Sequence, residues 1–369
     1  MMMEVTQTDL YQKIYSSLAA SAIGDAMGGP VEGLDWWEID AQFGIVDEFL
    51  PYSKNASVIE AGDLHGSWST AAGSITDDTR FRNLLAEAII NKGGSPLKGD
   101  FAKAIADYYY QADDDVSRGF MEEYFLKTIY GEKMHIWGGQ PVSAALMMNS
   151  PIGLIHPCDA MGAFRAAQEI DFLSEGYAQV AANIGAACVA AAMVPDTNID
   201  NIITAALEAA EAHRIQGPLF KNWSYGGNVG QPVERHIEIA VEIAREKKDV
   251  YAIRETYYER LNYLPIMVDA AQAIAVSLGM IVAADGDPKI AILGAVNYGR
   301  DCDTYASVVG AIVGALYGSD AVPADWIEIV QHANPAPDIG YLAQGLADVS
   351  AKQILQTKSL LELAEQLLV

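Results

Sequence analysis

The chain has 369 residues, 49 of them acidic and 23 basic, giving a formal charge of −26 and a pI near 4.4 with the acids dispersed along its length. That balance excludes a broad basic surface for nucleic acid or for an anionic membrane face. The hydrophobic fraction of 51% is enough for a large core, yet no apolar run reaches the length of a membrane span. Cys158, Cys188 and Cys302 have no metal-ligand spacing, the six His include no zinc spacing, and the opening MMMEVTQTDL lacks a basic segment followed by an apolar one, so a cytoplasmic protein is expected.

In chain order, the first predicted helix is Asp9–Ile23, with Leu10, Ile14, Leu18 and Ile23 at helical spacing. The glycines of Gly24-Asp25-Ala26-Met27-Gly28-Gly29-Pro30-Val31-Glu32 are expected to break it and leave Asp25 and Glu32 on a tight turn. Gly44–Leu50 has weak strand character. A small-residue loop, Ala71–Ser74, leads into Thr76-Asp77-Asp78-Thr79 and a helix over Thr79–Asn91, where Phe81, Leu84, Leu85, Ala88 and Ile89 repeat. Further helices are predicted over Phe101–Tyr110, Tyr177–Met193, Ile199–His213, Val233–Glu246, Val250–Leu261, Met267–Ala284, Pro288–Asn297, Thr304–Tyr317, Asp325–Ala333 and Ser359–Leu368. Glycine or proline marks several ends, as at Gly93-Gly94, Pro195, Gly217-Pro218 and Gly286. The four-residue spacing of Gly310, Gly314 and Gly318 predicts close helix packing in a core. With no repeat and no linker, the pattern predicts one all-α, multihelical domain over residues 1–369, with function on inter-helix loops at one end.

Two short acidic motifs stand more than 200 residues apart, Thr76-Asp77-Asp78-Thr79 and Asp301-Cys302-Asp303-Thr304, each opening a predicted helix. Alone, either is more often a helix cap, because Ser, Thr and Asp accept hydrogen bonds from first-turn amides and acids complement the helix dipole. The repetition of D-D-T as D-x-D-T, and the third acidic segment at Asp25 and Glu32, shift the weight toward a shared site. If the helix starts meet, four carboxylates and several hydroxyls converge. Hard oxygen ligands of this kind suit Mg²⁺ or Mn²⁺, and this many acids can hold two ions.

The order G-D-A-x-G-x-x-x-E, then T-D-D-T, then G-x-D-x-D-T resembles the ADP-ribosylglycohydrolase family, with the strongest likeness from Asp287 to Trp326. The resemblance implies an all-helical fold, a binuclear magnesium centre and hydrolysis of a ribosyl glycosidic bond. It implies Thr76, Asp77, Asp78, Asp301, Asp303 and Thr304 as metal ligands, and Asp78, Asp303 and Glu32 as catalytic residues, with Glu32 in a mobile segment near the second metal. Two departures stand out. Arg300 occupies a position where relatives carry glycine, beside the metals. The middle segment, Trp137–Gly153, lacks the asparagine and arginine that cradle phosphate in relatives, and a histidine expected near Asp171–Ser174 is missing.

Two glycine-aromatic loops, Met134–Gln140 and Trp223–Asn228, are candidates for substrate contact, because glycines let amides approach a phosphate while an aromatic covers a ring. Against this stands an ordinary loop with an aromatic anchor. Trp137, Gly138, Gly139, Gln140 and Arg300 are the expected substrate-binding residues, with a second reading of Arg300 as a structural counter-charge to the acidic cluster. The expected reaction is metal-dependent hydrolysis of ADP-ribosylated protein or a small ADP-ribosyl compound. Two other classes stay open: a di-metal hydrolase of another ribosyl or nucleoside metabolite or a phosphate ester, and a non-enzymatic, crystallin-like scaffold.

Overall fold

The computed structural model describes residues 5–52, 71–111, 142–171, 173–174, 176–212, 231–261 and 267–368. Among them every regular element is a helix, and pairing between extended segments is limited to isolated bridges, Asp35 with Gly299 and Val142 with Asp269. The weak strand character of Gly44–Leu50 comes to nothing: Val46 instead exchanges hydrogen bonds with the Asn297 side chain, its N–H donating to Oδ1 at 2.8 Å and its carbonyl accepting from Nδ2 at 2.9 Å.

The architecture is organised around two antiparallel helices, α1 (Asp9–Gly28) and a glycine-rich helix over Cys302–Tyr317. Their backbones touch. A Cβ added to Gly310 would stand 2.1 Å from the Ala20 carbonyl oxygen, and one at Gly314 would stand 2.4 Å from that of Ser16. Small hydroxyls complete the seam, with Ser17 Oγ donating to Ala311 O at 2.8 Å and Ser21 Oγ 2.9 Å from Ser307 Oγ. The packing predicted from the glycine spacing is therefore present at Gly310 and Gly314. Gly318 differs: it ends the helix at φ 62°, with nothing near its Cβ position.

This close contact corrects the expected helix break. Gly24 and Gly28 do not end α1 at Ile23; they let it run on to Gly28 against the second helix, where a Cβ at Gly24 would lie 2.1 Å from Ala306 O. Asp25 accordingly lies inside a helix, not on a turn. The turn comes later, as a 3₁₀ segment over Gly29–Val31 with Pro30, after which Glu32 resumes extended backbone.

The next elements are α2 (Trp36–Gln42), α3 (Asp77–Lys92), α4 (Lys98–Gln111) and the short α5 (Ala144–Met148) and α6 (Ser150–Leu154). After them come α7 (Ala160–Ile170), α8 (Tyr177–Ala192), α9 (Ile199–Ala212), α10 (Gln231–Lys247), α11 (Arg254–Leu261), α12 (Ala270–Ala283) and α13 (Pro288–Val296). The glycine-rich helix Cys302–Tyr317 is α14, followed by α15 (Ala324–Ala333) and α16 (Ile339–Glu365). Only the last part of α16 is predicted, as Ser359–Leu368. Its first half packs on the body through Leu342, Leu346 and Val349. The alanine-rich α8 and α12 are buried along nearly their whole length, so neither shows the polar stripe of a surface helix.

Because α1 and α14 are antiparallel, the C-terminal end of α1 abuts the N-terminal end of α14: a Cβ at Gly28 would meet Asp303 Cα at 2.4 Å. The start of α3 arrives at the same end through hydrogen bonds to Asp25. Three helix ends thus meet, two of them N-termini whose partial positive charge favours anionic side chains.

Candidate metal centre

Asp25 is the hub of the site. Fully buried, it accepts from Thr76 Oγ1 at 2.5 Å, from Thr76 N at 3.1 and 3.2 Å and from Thr79 N at 3.2 Å. It thereby ties the first turn of α3 to α1. Thr76 is the N-cap of α3, its hydroxyl accepting from Asp78 N at 3.3 Å, and Asp301 is the N-cap of α14. The capping role and the shared site are therefore the same arrangement, because helix starts are where these motifs project carboxylates together.

Two overlapping groups of carboxylates result. Glu32, Asp301 and Asp303 form one and Asp77, Asp78 and Asp303 the other, with ligand oxygens in each group within 4.8 Å of one another. Asp303 belongs to both. Asp78, Asp301 and Asp303 are at most 4% exposed, while Glu32 and Asp77 are partly open to solvent. Asp301 accepts from Ser143 Oγ at 2.8 Å, and the Thr304 hydroxyl lies in hydrogen-bonding contact with the carboxyls of Asp78 and Asp301.

The electrostatics follow from burying so many acids together. Burial, reinforced by the Asp25 charge, pushes the Asp77 carboxyl up to about 7. Burial pushes Asp301 up to about 6, against its hydrogen bonds from Ser143 and Thr304. Asp78, Asp303 and Glu32 lie well above the ordinary range, raised by burial and then by neighbouring carboxylates. Arg82, wholly buried beneath the cluster, donates to Leu18 O at 2.8 Å and to the Asn83 side chain. Its charge offsets only part of the concentration of acids.

Divalent cations fit this donor set. Asp78 Oδ1 and Asp303 Oδ1 are buried without a hydrogen-bond partner, and a buried anionic oxygen in that state is costly unless something positive satisfies it. Every available donor is a hard oxygen, the class preferred by Mg²⁺ and Mn²⁺. The two groups share one carboxylate, that of Asp303.

The ADP-ribosylglycohydrolase family profile matches residues 6–358, nearly the whole chain. The chain belongs to the ADP-ribosylglycohydrolase family. It is therefore a hydrolase of the glycosidase class, and the all-helical fold expected from the motifs agrees with that membership. Among its relatives are the uncharacterized protein YegU of Escherichia coli, 23% identical over 343 residues that cover 84% of this chain and 89% of the relative. An uncharacterized protein of Archaeoglobus fulgidus is 24% identical over 333 residues, covering 86% and 91%. At such identities this family member is divergent.

The family motif residues Thr76, Asp77, Asp78, Asp301, Asp303 and Thr304 all lie at the junction of the helix ends, and Glu32 lies with them. The segment after Glu32 is pinned to the second acidic motif: Gly33 N donates to Arg300 O at 2.8 Å and Arg300 N to Leu34 O at 2.7 Å. These bonds hold Arg300 in the left-handed region, at φ 62°, next to Gly299 at 80°. An arginine there carries backbone strain that glycine would not. The segment also rests on α11, where Arg254 pairs with Asp40 at 2.9 Å and stacks on Trp36 with 4.7 Å to the ring centre. Trp137, Gly138, Gly139 and Gln140 lie outside the described residues, as does the Trp223–Asn228 loop.

Asp25 and Ser143 are the site residues that sequence reasoning did not assign. A signal for Asp25 exists: it continues the buried series Ile14, Leu18, Ser21 at steps of four, three and four, so an acid falls on the core face of α1. Ser143 carries no such signal, because its approach to Asp301 depends on how distant helices pack.

Proposed function

We propose that this glycohydrolase is a divalent-cation-dependent enzyme that cleaves the glycosidic bond of an ADP-ribosyl group on a protein or small molecule, using two Mg²⁺ ions, or Mn²⁺, held by the acidic cluster. The observation that carries the proposal is the pair of carboxylate groups sharing Asp303, with orphaned buried oxygens on Asp78 and Asp303.

Asp77 and Asp78 from α3, Asp301 and Asp303 from α14, and Glu32 from the intervening segment would hold the ions, with Thr76 and Thr304 completing the oxygen set. Bound there, the ions would supply Lewis acidity, polarising sugar hydroxyls and lowering the pKa of water. Ribosyl transfer passes through an oxocarbenium-like state, so the residues around the anomeric carbon must orient water and stabilise positive charge. Carboxylate oxygens of Asp77, Asp78, Asp301 and Asp303 not taken up by the ions would serve the second task. Glu32, partly open to solvent, would exchange a proton with the attacking water or help align the sugar. Arg300, beside the cluster, would meet an anionic part of the substrate, and Trp137, Gly138, Gly139 and Gln140 would contact its sugar or phosphate. Residues 1–369 would act as one domain in the cytoplasm.

The test is turnover of ADP-ribosyl-arginine, ADP-ribosyl-serine, O-acetyl-ADP-ribose and simple ribosides with Mg²⁺ or with EDTA. Release of ADP-ribose that requires the cation and is lost in Asp78→Asn supports the proposal. Turnover confined to ribosides without an ADP group would move the substrate to another ribosyl metabolite. Cation-independent turnover, or none with any substrate, would overturn the proposal.

A further inference from the structure

Among the described residues, nothing packs over the chain from Ile354 to Leu368, the last turns of α16 and the 3₁₀ turn that follows it. The helix contacts the body as far as Lys352, whose Nζ donates to Gly93 O, and Gln353, whose Nε2 reaches Ser95 Oγ, both at 3.4 Å. Beyond them, nearly every residue from Ile354 to Leu368 is exposed. The family match stops at residue 358. Yet this segment is not a polar tail: Ile354, Leu355, Leu360, Leu361, Leu363, Leu367 and Leu368 are between 47 and 87% exposed.

Five of these seven share one face, and Leu355 and Leu363 lie off it. Ile354, Leu361 and Leu368 repeat every seven residues, Ala364 falls between the last two, and Leu360 and Leu367 widen the same face. That is the heptad pattern of a helix pair, with Ile354, Leu361 and Leu368 at one core position and Thr357 and Ala364 at the other. At about 100 Å² of apolar surface per exposed side chain, the face offers roughly 600 Å². That equals the largest patches usual on monomers, ~300–600 Å². Doubled, it gives ~1,200 Å², the lower bound for a specific interface.

The charges decide the occupant and its direction. One edge of the face carries Lys358 and Glu365; the other carries Leu360 and Leu367. In a parallel pair unlike edges meet, setting charges against leucines. In an antiparallel pair like edges meet, so Lys358 faces Glu365 of the second copy and leucine faces leucine. Lys358 with Glu365, and Ile354 with Leu368, are both centred close to Leu361, and Leu360 with Leu367 between Leu363 and Ala364, so one two-fold axis near Leu361 brings the charged and core pairs together and the leucine edges into reach. A membrane surface fits poorly, because Lys358 is the one basic residue between Ile354 and Leu368 and stands against Glu362 and Glu365, whereas interfacial helices are rich in basic residues.

We propose that the projecting half of α16 is a self-association surface that joins two copies of this chain as an antiparallel helix pair, with its two-fold axis near Leu361. The interface stands apart from the acidic cluster and does not depend on what that cluster binds.

The test measures molar mass by light scattering and sedimentation over micromolar concentrations, for the full chain and for exposed-face variants. The wild type is expected to approach twice 39.7 kDa as concentration rises, and Leu361→Lys/Leu367→Lys to stay at the single-chain mass with an unchanged circular dichroism spectrum. Lys358→Glu should weaken association at least tenfold, and adding Glu365→Lys should restore it. For direction, single cysteines are placed in a Cys158→Ser background. Leu361→Cys should cross-link to itself. Ile354→Cys should not, its two copies being ~21 Å apart at 1.5 Å per residue, but it should cross-link to Leu368→Cys in a mixture. A wild type of single-chain mass at all concentrations, whether free or pelleting with phosphatidylcholine–phosphatidylglycerol vesicles, would overturn the proposal. So would a dimer that survives Leu361→Lys/Leu367→Lys, or equal self-cross-linking at positions 354 and 361.

Discussion

The contact between Gly28 and Asp303 makes the proposed metal centre sensitive to a single methyl group. In Gly28→Ala the new Cβ would stand 2.4 Å from Asp303 Cα and 2.5 Å from its N, so about 1 Å of separation between α1 and α14 is needed to reach ordinary contact. Overpacking of this kind costs about 1–3 kcal/mol, reduced in helix interiors by the ~0.5–1 kcal/mol preference for alanine over glycine. Gly314→Ala is the matched control. Its Cβ meets Ser16 O at 2.4 Å in the same seam, eleven residues and about 16 Å along α14 from Asp303. Both variants should lose similar stability in urea titrations without metal. They should part when Mg²⁺ or Mn²⁺ is added, because coordination tolerates displacements of only about 0.2 Å. At one hundred times Kd, a single ion stabilises the folded state by about 2.7 kcal/mol. Gly314→Ala should keep that increment and Gly28→Ala should lose most of it. An equal metal response in the two variants would refute the claim that helix contact positions Asp303.

Three further outcomes are expected. Calorimetric titration with Mn²⁺ should give two ions for the wild type and one for Asp77→Asn, while Asp303→Asn, which removes the carboxylate common to both groups, should abolish both. Metal-free protein should lose stability as pH rises from about 4 to about 7: Asp77, raised to about 7, and Asp301, raised to about 6, contribute stability that is complete below their unfolded value of 3.8 and lost as each ionises. Melting temperature against pH, with and without Mg²⁺, should show that fall only without the cation, and a metal-free melting temperature that climbs over this range would contradict it. Arg300→Lys should leave Mn²⁺ affinity within about twofold but weaken ADP-ribose binding about tenfold or more, since lysine lacks the planar fork of a charge-assisted pair. Unchanged ADP-ribose affinity would return Arg300 to a purely structural role.

The fold class was legible because helical periodicity is local: Phe81, Leu84, Leu85 and Ala88 announce α3 without reference to anything else. Legibility failed where tertiary contact overrode local chemistry. Gly24 and Gly28 read as a helix break because glycine is a weak helix former, but their missing Cβ atoms are what α14 needs to approach α1. The front half of α16 escaped notice because its apolar positions are interleaved with Gly340 and Gly345, the latter packed against Ile90. The acidic residues that cluster in the candidate site were legible because the motifs are short and contiguous. Their grouping was not: that Asp303 is shared, that Glu32 joins Asp301, and that Asp25 holds Thr76 depend on the antiparallel register of α1 and α14.

The most direct test of the central claim is a crystal of the full chain grown with Mn²⁺, with diffraction measured for manganese anomalous scattering. Two peaks are predicted, one among Glu32, Asp301 and Asp303 and one among Asp77, Asp78 and Asp303, with Asp303 contacting both. Manganese bound elsewhere with none in this cluster, or an acidic cluster that stays free of metal at millimolar Mn²⁺, would contradict it.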